Sequence, residues 1–272
     1  MLELEDLGFA HPGGDWLFRG VRHRLRAGEI TTVLGPNGRG KTTLLRCIVG
    51  LTAPTRGRVR SHGPIGFVPQ SHQTTFAFRV LDMVLMGRAR HLRPFASPGR
   101  HDRRIALAAL DRVGLIHLAE RDYPTLSGGE RQLVLIARAI AADGRVLVLD
   151  EPASALDLRN QGRVLHLLRG LADDGMAVLL TTHHPDHAVE IADTAMLMFS
   201  ADDVRVGPAP DLLTEDAVGA LYGVRARTLA FDDGGLARTV IVTRHEPPEP
   251  GSSNRPVPGS RPPVDTGGAR HR

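Results

Sequence analysis

The chain has 272 residues, 42% hydrophobic and 24% charged, the balance of a globular protein with enough apolar mass to bury a core. A net charge of +4 admits a nucleic-acid partner, but all 34 Lys+Arg residues except Lys41 are arginine, so the basic character reads as a compositional bias and nucleic acid is not the expected partner. A single cysteine, Cys47, excludes an internal disulfide framework, the acidic stretch Met1 to Asp6 lacks the features of a signal peptide, and no run approaches the roughly 18 apolar residues of a membrane helix.

In chain order, Ile30 to Leu34 reads as a buried strand that ends in the glycine-rich stretch Gly35 to Gly40. Lys41 to Val49 then carries Leu44, Leu45 and Ile48 at helical spacing. Ile65 to Val68 is a short strand closed by Pro69, and Asp102 to Val113 is an amphipathic helix. Val146 to Leu149 is a continuous apolar run, as expected of a parallel strand covered on both faces. A helix over Gln161 to Leu171 and a further strand over Met176 to Leu180 follow. Strand and helix alternating in this way predict an α/β fold around a mostly parallel sheet. The last stretch, His245 to Arg272, holds seven prolines and four glycines and is expected to form a disordered tail with little net charge.

Gly35-Pro36-Asn37-Gly38-Arg39-Gly40-Lys41-Thr42, followed by Thr43, matches the phosphate-binding loop pattern. Glycines are needed because backbone N–H groups must curl around phosphate oxygens, and the following helix turns its positive end toward the same anion. Lys41 is assigned to the β- and γ-phosphates and the Thr42 hydroxyl to Mg²⁺. Val146 to Leu149 delivers Asp150, a second Mg²⁺ ligand, and Glu151, the candidate base for an attacking water. Leu126-Ser127-Gly128-Gly129-Glu130-Arg131-Gln132 stands at the start of a helix, where a hydroxyl and backbone donors form a second anion site.

With that stretch in place the sequence resembles the ATP-binding cassette (ABC) ATPases, whose signature it matches residue for residue. The resemblance runs from about Leu2 to Val224. It implies a P-loop cassette over residues 1–225, with a mostly parallel core, an N-terminal antiparallel β subdomain and a helical insertion at about 71–142. Residues 226–244 would be a short extension. Gln70 matches the glutamine that senses Mg²⁺ and the γ-phosphate, Ser154-Ala155-Leu156-Asp157 the loop that communicates across a dimer, and His183 the switch histidine on the γ-phosphate. The family pairs two cassettes head to tail, each ATP lying between the Lys41 loop of one and the Ser127 to Gly129 turn of the other.

Two positions depart from the family pattern. His11 stands where an aromatic residue usually stacks on adenine, with Trp16 as the other candidate, and Arg39 occupies a loop position that is usually small, so its side chain reaches either phosphate or solvent. His184 and His187 could serve as metal ligands, but surface chemistry at a helix start is the simpler reading. Cys47 reads as a small core residue.

Phe76 to Arg88 begins the insertion that receives a permease in the family. The Val80 to Arg88 pattern, the Thr182 to Ala188 stretch and Leu213-Thr214 with Leu221-Tyr222-Gly223 are similar to importer ATPases serving ferric siderophores, haem, cobalamin or molybdate. Ile65 to Gln70, Val80 to Arg88, Phe95, Pro98 and Asp102 most resemble the molybdate/tungstate branch. The resemblance thus implies a peripheral cytoplasmic subunit on the inner face of the membrane that hydrolyses ATP for a separate permease, with an extracellular substrate-binding protein further off. The alternative is a soluble ABC ATPase acting on nucleic acid or ribosomes.

Overall fold

The computed structural model describes residues 1–70, 78–93, 96–235 and 237–244. Phe76, Ala77, Phe95 and the stretch from His245 onward lie outside the described residues. The chain opens with β1 (Leu2–Ala10) and β2 (Trp16–Leu25), whose inward residues Leu2, Leu4, Leu7, Phe18, Val21 and Leu25 are buried while arginines alternate outward. The buried strand β3 (Ile30–Leu34) leads through the glycine loop into α1 (Lys41–Ile48), and β4 (Arg56–Ser61) returns to pair with β1. The result is an antiparallel sheet in the order β2-β1-β4.

β5 (Ile65–Val68) enters the main sheet. The helices α2 (Val80–Leu85), α3 (Arg100–Arg112) and α4 (Gly128–Ala141) follow, within the region assigned to the insertion. β6 (Val146–Leu149), α5 (Leu158–Asp173), β7 (Ala177–Thr181), α6 (Pro185–Ile191) and β8 (Thr194–Met198) continue the alternation. β9 (Val204–Pro208), α7 (Ala209–Leu212), α8 (Glu215–Tyr222), β10 (Arg225–Asp232) and β11 (Ala237–Arg244) complete it. The main sheet has the order β5-β6-β7-β3-β8-β9, parallel except for the antiparallel edge strand β9.

Alternation along the strands divides the core. Val146 and Val148 face the layer made by α1 and the antiparallel sheet, whereas Leu147 and Leu149 face α2 to α5. Both faces are covered, which is why β6 reads as an unbroken apolar run. A third cluster joins Leu34 and Leu197 to Val218 and Leu221 of α8 and to Ala226 and Ile241 of the β10–β11 hairpin. The stretch expected to be a short extension is therefore a hairpin packed on the cassette. Cys47 is buried, and burial pushes its thiol up.

Helix starts differ from the periodicity where a cap decides them. α5 begins three residues before Gln161 because the Asp157 carboxylate accepts the Asn160 amide at 2.8 Å, holding a first turn whose Leu158 is exposed. α3 begins at Arg100, with Asp102 accepting the Gly99 amide at 3.1 Å.

Candidate active site

Four segments leave the carboxyl ends of neighbouring parallel strands and meet: the glycine loop after β3, Gln70 after β5, Asp150 and Glu151 after β6, and His183 after β7. The carboxyl edge of a parallel sheet, where crossover order reverses, is where such folds open a crevice. Here it is a cavity of about 820 Å³ lined by His11, Leu17, Gly35, Pro36, Asn37, Gly38, Gly40, Lys41, Thr42, Thr43, Gln70, Glu151, His183 and Tyr222.

The loop's shape depends on its glycines. Gly38 and Gly40 have φ of 79° and 88°, and a Cβ at Gly40 would lie 2.8 Å from Leu17. Lys41 is buried, and its Nζ donates to the carbonyl oxygens of Gly35 at 2.6 Å and Pro36 at 3.1 Å. Burial lowers its pKa, an effect the Glu151 and Asp150 carboxylates partly oppose.

Glu151 is the pivot of the site. It is a non-glycine residue at φ 48°, a conformation that persists only when its surroundings hold it. Its amide donates to Thr181 Oγ1 at 2.8 Å, and that hydroxyl donates onward to the buried Asp150 at 2.6 Å. Gln70 Nε2 donates to Glu151 Oε2 at 3.0 Å, and His183 Nδ1 lies 3.2 Å from the same oxygen. An ionised carboxylate only accepts, so this contact places a proton on Nδ1 of His183. The His183, His184 and His187 rings lie against one another in turn, with centroid separations of 4.1 and 4.7 Å and planes tilted by 40° and 39°. Among the described residues no group of His, Cys, Asp and Glu is arranged to hold a metal ion by itself.

Not every residue assigned from the sequence reaches the cavity. Asp150 lies behind Glu151, tied to Thr181. Arg39, counted with the loop as a nucleotide ligand, is exposed and outside the lining, because its loop position turns the side chain outward. Ser127, Gly128 and Gly129 lie outside it too, at the start of α4, where Ser127 and Glu130 form a reciprocal cap with bonds of 2.8 and 3.3 Å. His11 lines the cavity, whereas Trp16 does not. Thr181 and Leu17 were not singled out in the sequence: a threonine closing a strand and a leucine in a β-strand carry no motif, and only the pairing of Thr181 with Val33 brings it beside the loop.

A glycine cradle, a buried lysine and a doubly restrained carboxylate around one cavity have a single common use, so the fold and site define a P-loop nucleotide hydrolase. Residues 18–154 match the family described as ABC transporter. The molybdate import ATP-binding protein MolC of Haemophilus influenzae is 45% identical over 222 residues, covering 81% of this chain and 87% of the relative. The hemin import ATP-binding protein HmuV of Gloeobacter violaceus is 38% identical, covering 78% and 84%. A solved metal-chelate type ABC transporter in an inward-facing conformation superposes with a TM-score of 0.85 at 41% identity, covering 90% of this chain and 98% of that one. The chain belongs to the ABC transporter family and is one of its ATP-binding, ATP-hydrolysing subunits.

Proposed function

We propose that this chain drives an importer: it hydrolyses ATP in a head-to-tail homodimer and couples that cycle to a separate membrane permease. The observation that carries the catalytic reading is the Glu151 carboxylate, fixed by Gln70 and His183 within the cavity that also holds Lys41. On binding ATP, Lys41 exchanges the Gly35 and Pro36 carbonyls for phosphate oxygens. Glu151 takes the proton of the attacking water, Gln70 and His183 orient it, and His11 covers the adenine. Thr42 and Gln70 in the lining would supply hard oxygen donors that suit Mg²⁺, with Asp150, set back behind Glu151, acting through water; the ion would neutralise phosphate charge.

The position of Ser127 supports the head-to-tail dimer. It is exposed and away from the cavity of its own chain, where it is free to face the cavity of a second copy. The permease docks near Phe78 and α2. No helix among the described residues is long and apolar enough to cross a membrane, which suits a peripheral subunit on the cytoplasmic face. Relatives named for molybdate and hemin import favour the importer over a soluble ATPase acting on nucleic acid or ribosomes. The cargo class is a metal chelate (ferric siderophore, haem or cobalamin) or the molybdate/tungstate oxyanions, delivered through an extracellular substrate-binding protein.

Glu151→Gln tests the mechanism. It should lower ATP turnover by about a hundredfold or more and trap an ATP-bound dimer on gel filtration; turnover at the parent rate would remove Glu151 as the base. Uptake of molybdate and of ferric siderophore in a strain lacking the chain separates the two cargo classes.

A further inference from the structure

We propose that the Tyr222 hydroxyl donates a hydrogen bond to the terminal phosphate of bound ATP, making this tyrosine a further residue of the nucleotide site that separates ATP from ADP. The proposal rests on the cavity being the ATP site.

Tyr222 is brought there by α8. The Thr214 hydroxyl accepts the Ala217 amide and starts the helix, and Gly223, at φ 67°, stops it directly after the tyrosine. Val218 and Leu221 anchor the helix against Leu34, the residue preceding the phosphate loop. The end of α8 is thereby aimed at Gly35. Tyr222 lines the cavity together with Glu151 and His183, the two residues that the proposed mechanism sets beside the terminal phosphate.

The hydroxyl sits against the Gly35 backbone without forming a hydrogen bond of normal geometry. Its oxygen is sealed from solvent at the cavity wall, so a phosphate reaches it only when the adjoining Gly35 loop adjusts on binding. A buried polar group left in that state destabilises the fold, and phenylalanine would fill the same space without the penalty. Burial pushes the phenol up to about 12; hydrogen bonding from the Gly35 backbone pulls the other way, and the Glu151 carboxylate adds to the rise. The oxygen therefore keeps its proton and offers a donor to an incoming anion. Tyr222 also lies beyond residues 18–154, the part of the chain that matches the family. It would thus join the C-terminal segment to the nucleotide state of the cassette.

The test is calorimetric titration of the full chain with ATP and with ADP, in EDTA to prevent turnover. Tyr222→Phe should weaken ATP binding about five- to tenfold and leave ADP within about twofold. Its thermal midpoint should be unchanged or higher, because the unpaired hydroxyl is gone. Tyr222→Leu, which also loses packing, should weaken both nucleotides. Equal affinities for Tyr222→Phe and the parent, or an equal loss for ATP and ADP, would overturn the proposal. A Lys41→Ala chain that binds ATP as tightly as the parent would instead overturn the nucleotide-site reading, whatever Tyr222 does.

Discussion

Thr181→Val asks whether Glu151 is held in place by the hydroxyl beneath it. Valine keeps the shape of threonine in a wholly buried site at the end of β7, so the change removes hydrogen bonds and little else. Two bonds go: the 2.6 Å donation to Asp150 and the 2.8 Å acceptance from the Glu151 amide. A bond to a charged group is worth about 1.5–3 kcal/mol, and an amide left unpaired costs about 1–3 kcal/mol. The two share one hydroxyl and are not additive, so a loss of about 2–4 kcal/mol is expected in urea unfolding. Glu151 also occupies a backbone conformation at φ 48° that costs a non-glycine residue about 1–2 kcal/mol. Without the hydroxyl it relaxes away, and turnover should fall about tenfold to a hundredfold. Thr181→Ser, which restores the oxygen, should recover most of both. A valine variant within about 0.5 kcal/mol of the parent and turning over at full rate would refute the reasoning.

Two other perturbations follow from buried charge. Arg88 is nearly inaccessible, donating to Asp102 at 3.1 Å and to the Ala141 carbonyl at 3.0 Å, and so ties the segment after α2 to the end of α4. Arg88→Ala strands Asp102 and should cost about 3–5 kcal/mol in chemical denaturation, whereas breaking the exposed Arg79–Glu120 pair should cost under about 1 kcal/mol. The pH dependence has a definite sign at the histidine cluster. Burial lowers His184 and His187 from the ordinary 6.5, so the unfolded chain binds these protons more readily. Their stability contribution is fully present above pH 6.5 and is lost as pH falls through that value toward the lower folded ones. The thermal midpoint should therefore drop between pH 7.5 and 5.5, and His187→Gln should flatten the drop.

How far the sequence carried depends on which interactions decide each element. β6 was legible to the residue because a strand covered on both faces is apolar throughout, and β3 and β5 because glycine and proline bound their mainly apolar runs. The start of α5 was not, since Asp157 fixes it by a polar bond while Leu158 points outward and carries no periodic signal. The β10–β11 hairpin was missed for a related reason. Ala226 and Ile241 are its buried anchors, whereas Leu229, Phe231 and Val242 are about half exposed among arginines, so the alternation is blurred. Of the residues lining the cavity, the loop and Glu151 were singled out by motifs local in sequence, and His183 by the family resemblance. Thr181 acts through a hydrogen bond across 30 residues, and Tyr222 reaches the loop only because α8 folds back against Leu34.

The lone lysine illustrates the difference between composition and site. The arginines that set the net charge lie mostly on the surface, where many pair with carboxylates, as Arg24 does with Glu3 and Arg58 with Glu5. Any cation would serve there, and such pairs contribute little. Lys41 is different in kind: it is buried inside a loop closed by two left-handed glycines, and its ammonium already bridges two backbone carbonyls that curve around it. A point charge with three rotatable donors can leave those carbonyls for phosphate oxygens without rearranging the loop. A planar guanidinium cannot make both sets of contacts from one position, because its donors are fixed in a fork. Under the proposed mechanism the partners of Lys41 change during the reaction, and a lysine suits that exchange where an arginine would not.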